Sequence, residues 1–211
     1  MDKSQQKKKK LKNGPYVVTN GIPIMEKIIV NKNGKQELEE GRKFPQSDQY
    51  SLCRCGKSKN SPFCDGTETI ANTKYTHRAE LVEGEGVNLL DDGRCAYGRF
   101  CHHEKGTAWE LVEKSYDLEC KEAAIEATVA CPSGRLTAVD KEGNLIENTY
   151  EPLIEVIQDP QKGVNAGIYV KGNITIESAD NVVYETRNRV ALCRCGKSKN
   201  KPICDASHIG H

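Results

Sequence analysis

The sequence predicts an α+β protein. Two small β-rich modules pack together, and an α+β insert lies between them in the sequence. Three observations support this fold class. An eight-residue segment occurs twice, short alternations of apolar residues lie near both copies, and the best helical segment lies between them. A length of 211 residues allows up to three small domains.

Composition indicates that apolar packing needs a second source of stability. Hydrophobic residues make up 36% of the chain, aromatic residues 6%, and the mean hydropathy is -0.66. Small domains of this composition have thin cores, and metal binding contributes directly to their folding free energy. The ten cysteines are therefore the first candidates for function.

The compartment is predicted to be the cytoplasm. No segment approaches the roughly 20 apolar residues that span a bilayer, and the N-terminus lacks the apolar core of a secretory signal. Cysteines separated by one residue are poorly placed to form a disulfide with each other, so reduced, metal-binding cysteines are expected. The net charge of +1 argues against nucleic-acid binding.

The chain divides into four predicted regions. Residues 1–13 form a basic, disordered arm, 14–77 a first module, 78–148 an insert and 149–211 a second module. The division follows from a duplication: Cys53–Asn60 recurs unchanged as Cys193–Asn200, and Pro62, Cys64 and Asp65 recur as Pro202, Cys204 and Asp205. Further upstream, Gly14, Tyr16 and Val17 are aligned with Gly167, Tyr169 and Val170.

Secondary structure follows from periodicity and turn residues. Short strands are predicted at Tyr16–Val18, Ile22–Ile24, Ile168–Val170, Ile174–Ile176 and Val190–Leu192. In the insert, Lys121–Val129 is rich in Ala, Glu and Ile and predicts a helix that ends before Pro132. Leu136–Val139, the turn residues Gly143 and Asn144, and Leu145–Ile146 predict a hairpin.

The second cysteine motif has the spacing of a metal site. Cys193 and Cys195 are two residues apart, and Gly196 lets the chain turn so that both sulfurs approach one metal ion. Cys204 and His208 are four residues apart, which places them on one face if this segment begins a helix. Asp205 is then the expected N-cap, and sulfur and imidazole converge on a second ion.

These residues closely resemble the CDGSH family of iron-sulfur proteins. The family pattern is Cys-x-Cys, a Ser or Thr three residues on, and then Pro-x-Cys-Asp-Gly-Ser-His; Ser198 and Pro202 fall in place, and Ala206 replaces the usual Gly. The resemblance implies a redox-active 2Fe-2S cluster held by three Cys and one His. Its ligands are Cys193, Cys195, Cys204 and His208. The alternative is a structural zinc site with the same ligands and no redox role.

The first copy is altered at the fourth ligand. Cys53, Cys55 and Cys64 are present, but the histidine position holds Glu68. A carboxylate is an uncommon iron-sulfur ligand, so Glu68 binds weakly, His77 replaces it, or the position stays open. A second 2Fe-2S cluster is expected here. The alternative is a copy that retains its cysteines as scaffold and holds no cluster.

The insert resembles the divergent single-cluster ferredoxin family. Cys95 and Cys101 form a Cys-x5-Cys pattern, and Cys131 opens a Cys-Pro-Ser-Gly segment. The resemblance implies a 4Fe-4S cluster, for which Cys120 has to supply the fourth thiolate. The alternative is that all four are free cysteines that pack in the core.

Taken together, the motifs predict an iron-sulfur cluster-binding protein that acts in electron transfer, cluster transfer or redox sensing, and not an enzyme. No motif for hydrolase or nucleotide chemistry occurs. The expected partner is a redox or cluster-acceptor protein, with no nucleic acid and no membrane. A monomer is expected, in which the two copies face each other as the subunits of a dimer would.

Overall fold

The computed structural model describes residues 14–66, 79–178 and 181–210, and this part of the chain is strand-rich with few helices. The basic arm, Glu68 and His77 lie outside the described residues. Among the described residues no helix has the length and apolar content needed to cross a membrane. The strands are β1 (Tyr16–Val18), β2 (Ile24–Lys32), β3 (Lys35–Lys43), β4 (Tyr50–Leu52), β5 (Glu80–Val82), β6 (Asn88–Asp91), β7 (His102–His103), β8 (Gly106–Thr107), β9 (Leu136–Val139), β10 (Leu145–Ile146), β11 (Leu153–Asp159), β12 (Val164–Lys171) and β13 (Arg189–Leu192). The helices are α1 (Ala108–Glu113) and α2 (Leu118–Val129).

A five-stranded sheet joins the two copies of the repeat. Its strand order is β13-β12-β11-β2-β3, so strands from the first copy extend a sheet begun by the second. The junction is the parallel pairing of β2 with β11, where Ile24 lies opposite Ile154. Parallel strands need a long connection, which the whole insert supplies here.

The long β2–β3 hairpin was not predicted from the sequence. Its turn is Asn33 and Gly34, with φ of 53° and 85°, and these values match the turn that Asn-Gly favours between twisted strands. On β2, the buried carboxylate of Glu26 accepts hydrogen bonds from Arg42 at 2.8 Å and from Gln158 at 2.9 Å. The bonds from Arg42 lower the pKa of Glu26 to about 2. Glu26 thus ties β2 to β3 and to β11.

Both copies contribute to one hydrophobic core, as the predicted packing of the modules requires. From the first copy the buried members are Val18, Ile24, Tyr50 and Leu52. From the second copy they are Ile154, Val156, Ile168, Val170, Val190, Leu192 and Ile203. Because neither set forms a core of its own, each copy depends on the other for burial of its apolar face.

The strand register corrects the alignment of the repeat. Tyr16 lies opposite Leu52, and Ile168 lies opposite Leu192. Since the two leucines are equivalent in the repeat, the counterpart of Tyr16 is Ile168, and the alignment of Tyr16 with Tyr169 was wrong by one residue. A shift of one residue exchanges the two faces of a strand, so it changes which side chains are buried.

Three of the five predicted strands are confirmed, and the other two predictions were wrong in extent or in type. Tyr16–Val18 is β1, Ile168–Val170 lies inside β12, and Val190–Leu192 lies inside β13. The prediction at Ile22–Ile24 was wrong in extent, because β2 begins only at Ile24, after the turn at Asn20 and Gly21. The prediction at Ile174–Ile176 was wrong in type, because both isoleucines pack against the shared core without forming a strand.

The insert has a sheet of its own, with strand order β10-β9-β6-β5, covered by α1 and α2. The predicted hairpin is confirmed, since Leu145 pairs with Val139. The predicted helix begins three residues earlier than expected. The reason is Asp117, whose side chain accepts a hydrogen bond from the Cys120 N–H at 2.9 Å and so caps α2.

Arg189 fastens the insert to the second module. It begins β13, which leads directly to Cys193, and its side chain is fully buried. The guanidinium forms an ion pair with Glu147 and donates hydrogen bonds to the main-chain carbonyls of Thr128, Val129, Cys131 and Leu136. A Cβ on Gly134 would come within 2.4 Å of the Arg189 carbonyl oxygen. The end of α2 and the turn after it are therefore held against β13.

We expect Arg189→Met to lower the free energy of unfolding of the metal-free protein by about 3 kcal/mol, because buried carbonyls and Glu147 lose their donor. Urea unfolding measures the change. Lys32→Met is the matched control, since Lys32 pairs with Glu37 and Glu39 at the surface, where solvent screening leaves an ion pair with little effect on stability. Equal stability of the two variants would contradict the anchoring role of Arg189.

Candidate metal centres

The C-terminal site consists of two pairs of ligand atoms. The sulfurs of Cys193 and Cys195 are 3.7 Å apart, and the Cys204 sulfur is 3.6 Å from Nδ1 of His208. Two sulfurs bound at about 2.3 Å to one tetrahedral ion are roughly 3.8 Å apart, and a sulfur and an imidazole nitrogen roughly 3.5 Å. Each pair therefore already has the spacing of two ligands on one metal ion.

Main-chain and hydroxyl hydrogen bonds shape the loop between the pairs. The Cys193 N–H donates to the Pro202 carbonyl at 2.8 Å, and the Ser198 hydroxyl donates to the Ile203 carbonyl at 2.7 Å. The first copy repeats these bonds, from Cys53 to Pro62 and from Ser58 to Phe63. The identical eight-residue segments thus fold into the same loop twice.

The segment from Cys204 to His208 is not the first turn of a helix, so that prediction was wrong. Ala206 has φ of +64°, in the left-handed region, which a helix cannot use. The Asp205 carboxylate accepts hydrogen bonds from the backbone N–H of Lys199 at 2.8 Å and of Ser207 at 3.1 Å. These bonds stabilise the loop.

The left-handed residue also explains the family's preference at this position. The first copy has Gly66 there, with φ of +83°, and glycine adopts this conformation without strain. Ala206 adopts it at a cost of about 1 kcal/mol. Replacement of Gly by Ala is thus a departure that the surrounding loop has to offset.

Burial controls the protonation of the ligands before metal binds. The thiols of Cys193 and Cys195 share a hydrogen bond, which lowers the pKa of Cys195 to about 6 and raises the pKa of Cys193. Burial raises the pKa of Cys204 to about 12 and lowers the pKa of His208. A neutral imidazole is the form that binds metal, whereas the thiols must lose protons as the metal enters.

The first copy offers the same first pair of cysteines, and its third cysteine is less buried than the one in the second copy. The sulfurs of Cys53 and Cys55 are 3.5 Å apart, and the Gly66 N–H points to the Cys64 sulfur at 3.4 Å. Burial raises the pKa of Cys53, but hydrogen bonds from the Ser58 backbone and from Cys55 outweigh it and the pKa is lowered. Cys64 is only partly buried.

The two cysteine loops touch each other. A Cβ on Gly56 would come within 2.8 Å of the Cys195 carbonyl oxygen, and Gly56 has φ of +77°, so the close approach requires glycine. The Tyr16 hydroxyl donates to the carbonyls of Cys193 at 2.7 Å and Pro202 at 3.0 Å. A side chain of the first copy thus supports the second site.

Positively charged side chains lie near the cysteines that would bind metal as thiolates. Arg194 is buried and close enough to Cys53 for the charges to interact, which links the second loop to the first site. Burial lowers the pKa of Arg194 to about 10. Lys197 and Lys199, which were expected to offset cluster charge with it, are exposed.

In the insert, three of the four predicted ligands surround one cavity. Cys95, Cys101 and Cys131 line it together with Trp109 and Arg135. Burial raises the pKa of Cys101 to about 11, with further contributions from the other two thiols. The three thiols line one cavity, but among the described residues they do not form a group that could hold a metal ion as they stand.

Cys120 does not line this cavity, so the prediction that it completes the set of four is not supported by its position. It lies in the first turn of α2, where Asp117 and Lys105 are the charged groups that act on its thiol. The residue that the sequence reasoning missed is Arg135. It follows Cys-Pro-Ser-Gly directly, binds Asp91 at 2.6 and 2.7 Å, stacks over Trp109, and places its positive charge beside Cys95.

Comparison with protein families agrees with this geometry. Residues 13–67 and 165–209 match the model of the iron-binding zinc finger of CDGSH type. Together the two matched regions cover just under half of the chain, and each contains one of the two cysteine loops. The match supports iron-sulfur binding by these two regions, while the insert lies outside both. No curated protein and no solved structure matches the chain significantly.

Proposed function

We propose that the chain is an electron carrier whose C-terminal CDGSH-type domain holds a 2Fe-2S cluster through Cys193, Cys195, Cys204 and His208. The observation that carries the proposal is the arrangement of these ligands in two pairs. When bound, a 2Fe-2S cluster accepts and releases one electron. The protein's part is to bind it, shield it and set its potential.

The paired arrangement favours two ions over one. A single tetrahedral zinc ion brings four ligands around one point, with every pair at similar spacing. Two irons that each use one pair, and share sulfide for their remaining ligands, fit this arrangement better than the alternative of a structural zinc ion.

Burial supports retention of the cluster. Cys193 is 1% exposed, Cys204 2% and His208 6%, and only Cys195 of the four ligands is partly exposed. Transfer of a cluster to another protein requires that the acceptor reach its ligands. Electron transfer requires only that the two redox groups lie close together. The C-terminal site therefore suits electron transfer better than cluster donation, and the proposed role is that of a carrier and not of an enzyme.

The other two sites complete the proposal. Cys53, Cys55 and Cys64 hold a second 2Fe-2S cluster, for which Glu68 is the candidate fourth ligand. In the insert, Cys95, Cys101 and Cys131 hold a 4Fe-4S cluster whose fourth iron takes a ligand other than Cys120. The support for this last step is the shared cavity and the cation of Arg135 beside it.

We expect Cys204→Ser to remove about two irons and two acid-labile sulfides per chain, because it takes one ligand from a centre whose loop closes on that residue. Cys64→Ser is the matched control at the equivalent position and removes only the first cluster. Iron, zinc and sulfide are measured on protein purified without oxygen. Wild-type protein with stoichiometric zinc and no sulfide would show that the metal is structural.

The two CDGSH-type sites should release iron at different rates. Cys64 is more exposed than Cys204, and the carboxylate of Glu68 is a harder ligand than imidazole. In mild acid or chelator, absorbance is expected to decay in two phases, with the fast phase missing from Cys64→Ser. Glu68→His should slow the fast phase at least severalfold. A single phase in wild-type protein with both sites loaded would contradict this ranking.

A further inference from the structure

The side chain of Tyr169 is fully buried between the C-terminal site and the insert. Its exposed fraction is 0%, and its hydroxyl has no hydrogen-bond partner among the described residues. A buried hydroxyl without a partner loses about 1 to 3 kcal/mol relative to one that is satisfied. Such a group is therefore retained for a partner that binds at this place.

Two glycines show what faces the ring on each side. A Cβ on Gly98, in the loop between Cys95 and Cys101, would lie 3.1 Å from the Tyr169 hydroxyl oxygen. A Cβ on Gly167 would lie 3.7 Å from the Tyr169 ring and 3.8 Å from Cβ of Cys204. The hydroxyl therefore lies against the loop between Cys95 and Cys101, while the ring lies beside Cys204.

The same packing unit contains parts of both sites. Tyr169 and Cys204 are buried in one apolar cluster with Ala96, and Phe100 packs against it. After burial, the thiols of Cys204 and then Cys131 are the largest influences that raise the pKa of Tyr169, followed by Asp159 and Cys95. Sulfurs of both sites are therefore within electrostatic reach of one hydroxyl.

The other nearby acceptor is already engaged. The carboxylate of Asp159 accepts two hydrogen bonds from Arg99, at 2.6 and 3.1 Å. Neither this carboxylate nor any described cysteine sulfur lies within hydrogen-bond distance of the Tyr169 hydroxyl, so its partner has to be a group that binds between the two sites. A tyrosine hydroxyl has one proton to donate, so one sulfur receives it at a time.

We propose that the Tyr169 hydroxyl is a hydrogen-bond donor shared by the C-terminal site and the insert site, and that it makes the reduction potential of each depend on the charge of the other. The inference rests on the proposed function, because it requires clusters at both sites. A hydrogen bond to a cluster sulfur stabilises the reduced form and raises the potential. Negative charge at one site attracts the Tyr169 hydroxyl. The other site then loses its hydrogen bond, and its reduction potential falls. This coupling is reciprocal.

The first copy has no tyrosine at the strand position equivalent to Tyr169. By strand register, Val17 occupies the position of Tyr169, and it is 57% exposed. The coupling is therefore specific to the second site. Tyr50 offers a matched control, because its buried hydroxyl donates to the Ile22 carbonyl at 2.8 Å and no cysteine influences it.

The test is a double-mutant cycle on the full chain, with Cys64→Ser in every protein to remove the first 2Fe-2S signal. Tyr169→Phe, Cys131→Ser and their combination are compared by redox titration of the C-terminal signal, followed by electron paramagnetic resonance. Phe keeps the ring packing, so a shift reports on the hydroxyl. Tyr50→Phe controls for loss of a buried hydroxyl, and Cys95→Ser replaces Cys131→Ser if that variant does not fold.

We expect Tyr169→Phe to lower the C-terminal potential and Tyr50→Phe to leave it unchanged. Cys131→Ser, which empties the insert, should raise the potential in the protein with Tyr169 and raise it less in the protein with Phe. Equal effects of Cys131→Ser in both backgrounds would overturn the proposal. Absence of iron and sulfide from the wild-type protein would instead overturn the proposed function, so the two failures are distinguishable.

Discussion

The parallel pairing of β2 with β11 is the interaction on which the rest of the structure depends. It extends the sheet of the second copy with strands of the first, and it lets both copies bury their apolar residues in one core. The same arrangement brings Gly56 against Cys195 and the Tyr16 hydroxyl against the Cys193 carbonyl. Each cysteine loop is therefore built on a scaffold that needs both copies.

The duplication gives two identical segments different surroundings. Cys53–Asn60 and Cys193–Asn200 fold into the same loop, and Ala96 and Phe100 of the insert pack beside the second of them. Arg189 holds the end of α2 against the strand that leads to Cys193, and Tyr169 fills the space between. A difference in function between two equal motifs can thus arise from neighbouring residues that lie far away in the sequence.

Local patterns predicted the elements that local chemistry determines. The cysteine spacing and the turn residues of the β9–β10 hairpin act within a few residues, so the sequence predicts the ligand pairs and that hairpin. The segment from Cys204 to His208 was expected to be helical, but the hydrogen bond from the Lys199 N–H to the Asp205 carboxylate favours a loop with a left-handed Ala206. Tertiary contacts override helix propensity over so short a segment.

Features that depend on long-range contacts could not be predicted. Whether Tyr16 corresponds to Ile168 or to Tyr169 is decided by pairing with distant strands, because a one-residue shift preserves the local pattern. The place of Cys120 depends on how α2 packs, which the Cys-x5-Cys pattern does not contain. The β2–β3 hairpin is different, since its Asn33-Gly34 turn was a local signal that was missed.

Mössbauer spectroscopy of protein loaded with iron-57 tests the central claim most directly, because it reports the ligands and the magnetic coupling of each iron. If the two ligand pairs hold a sulfide-bridged cluster, the C-terminal site gives two coupled irons in unequal surroundings. One has only sulfur ligands, and the other has sulfur and the nitrogen of His208. Magnetically isolated single irons, or protein that binds zinc and takes up no iron, would contradict the account.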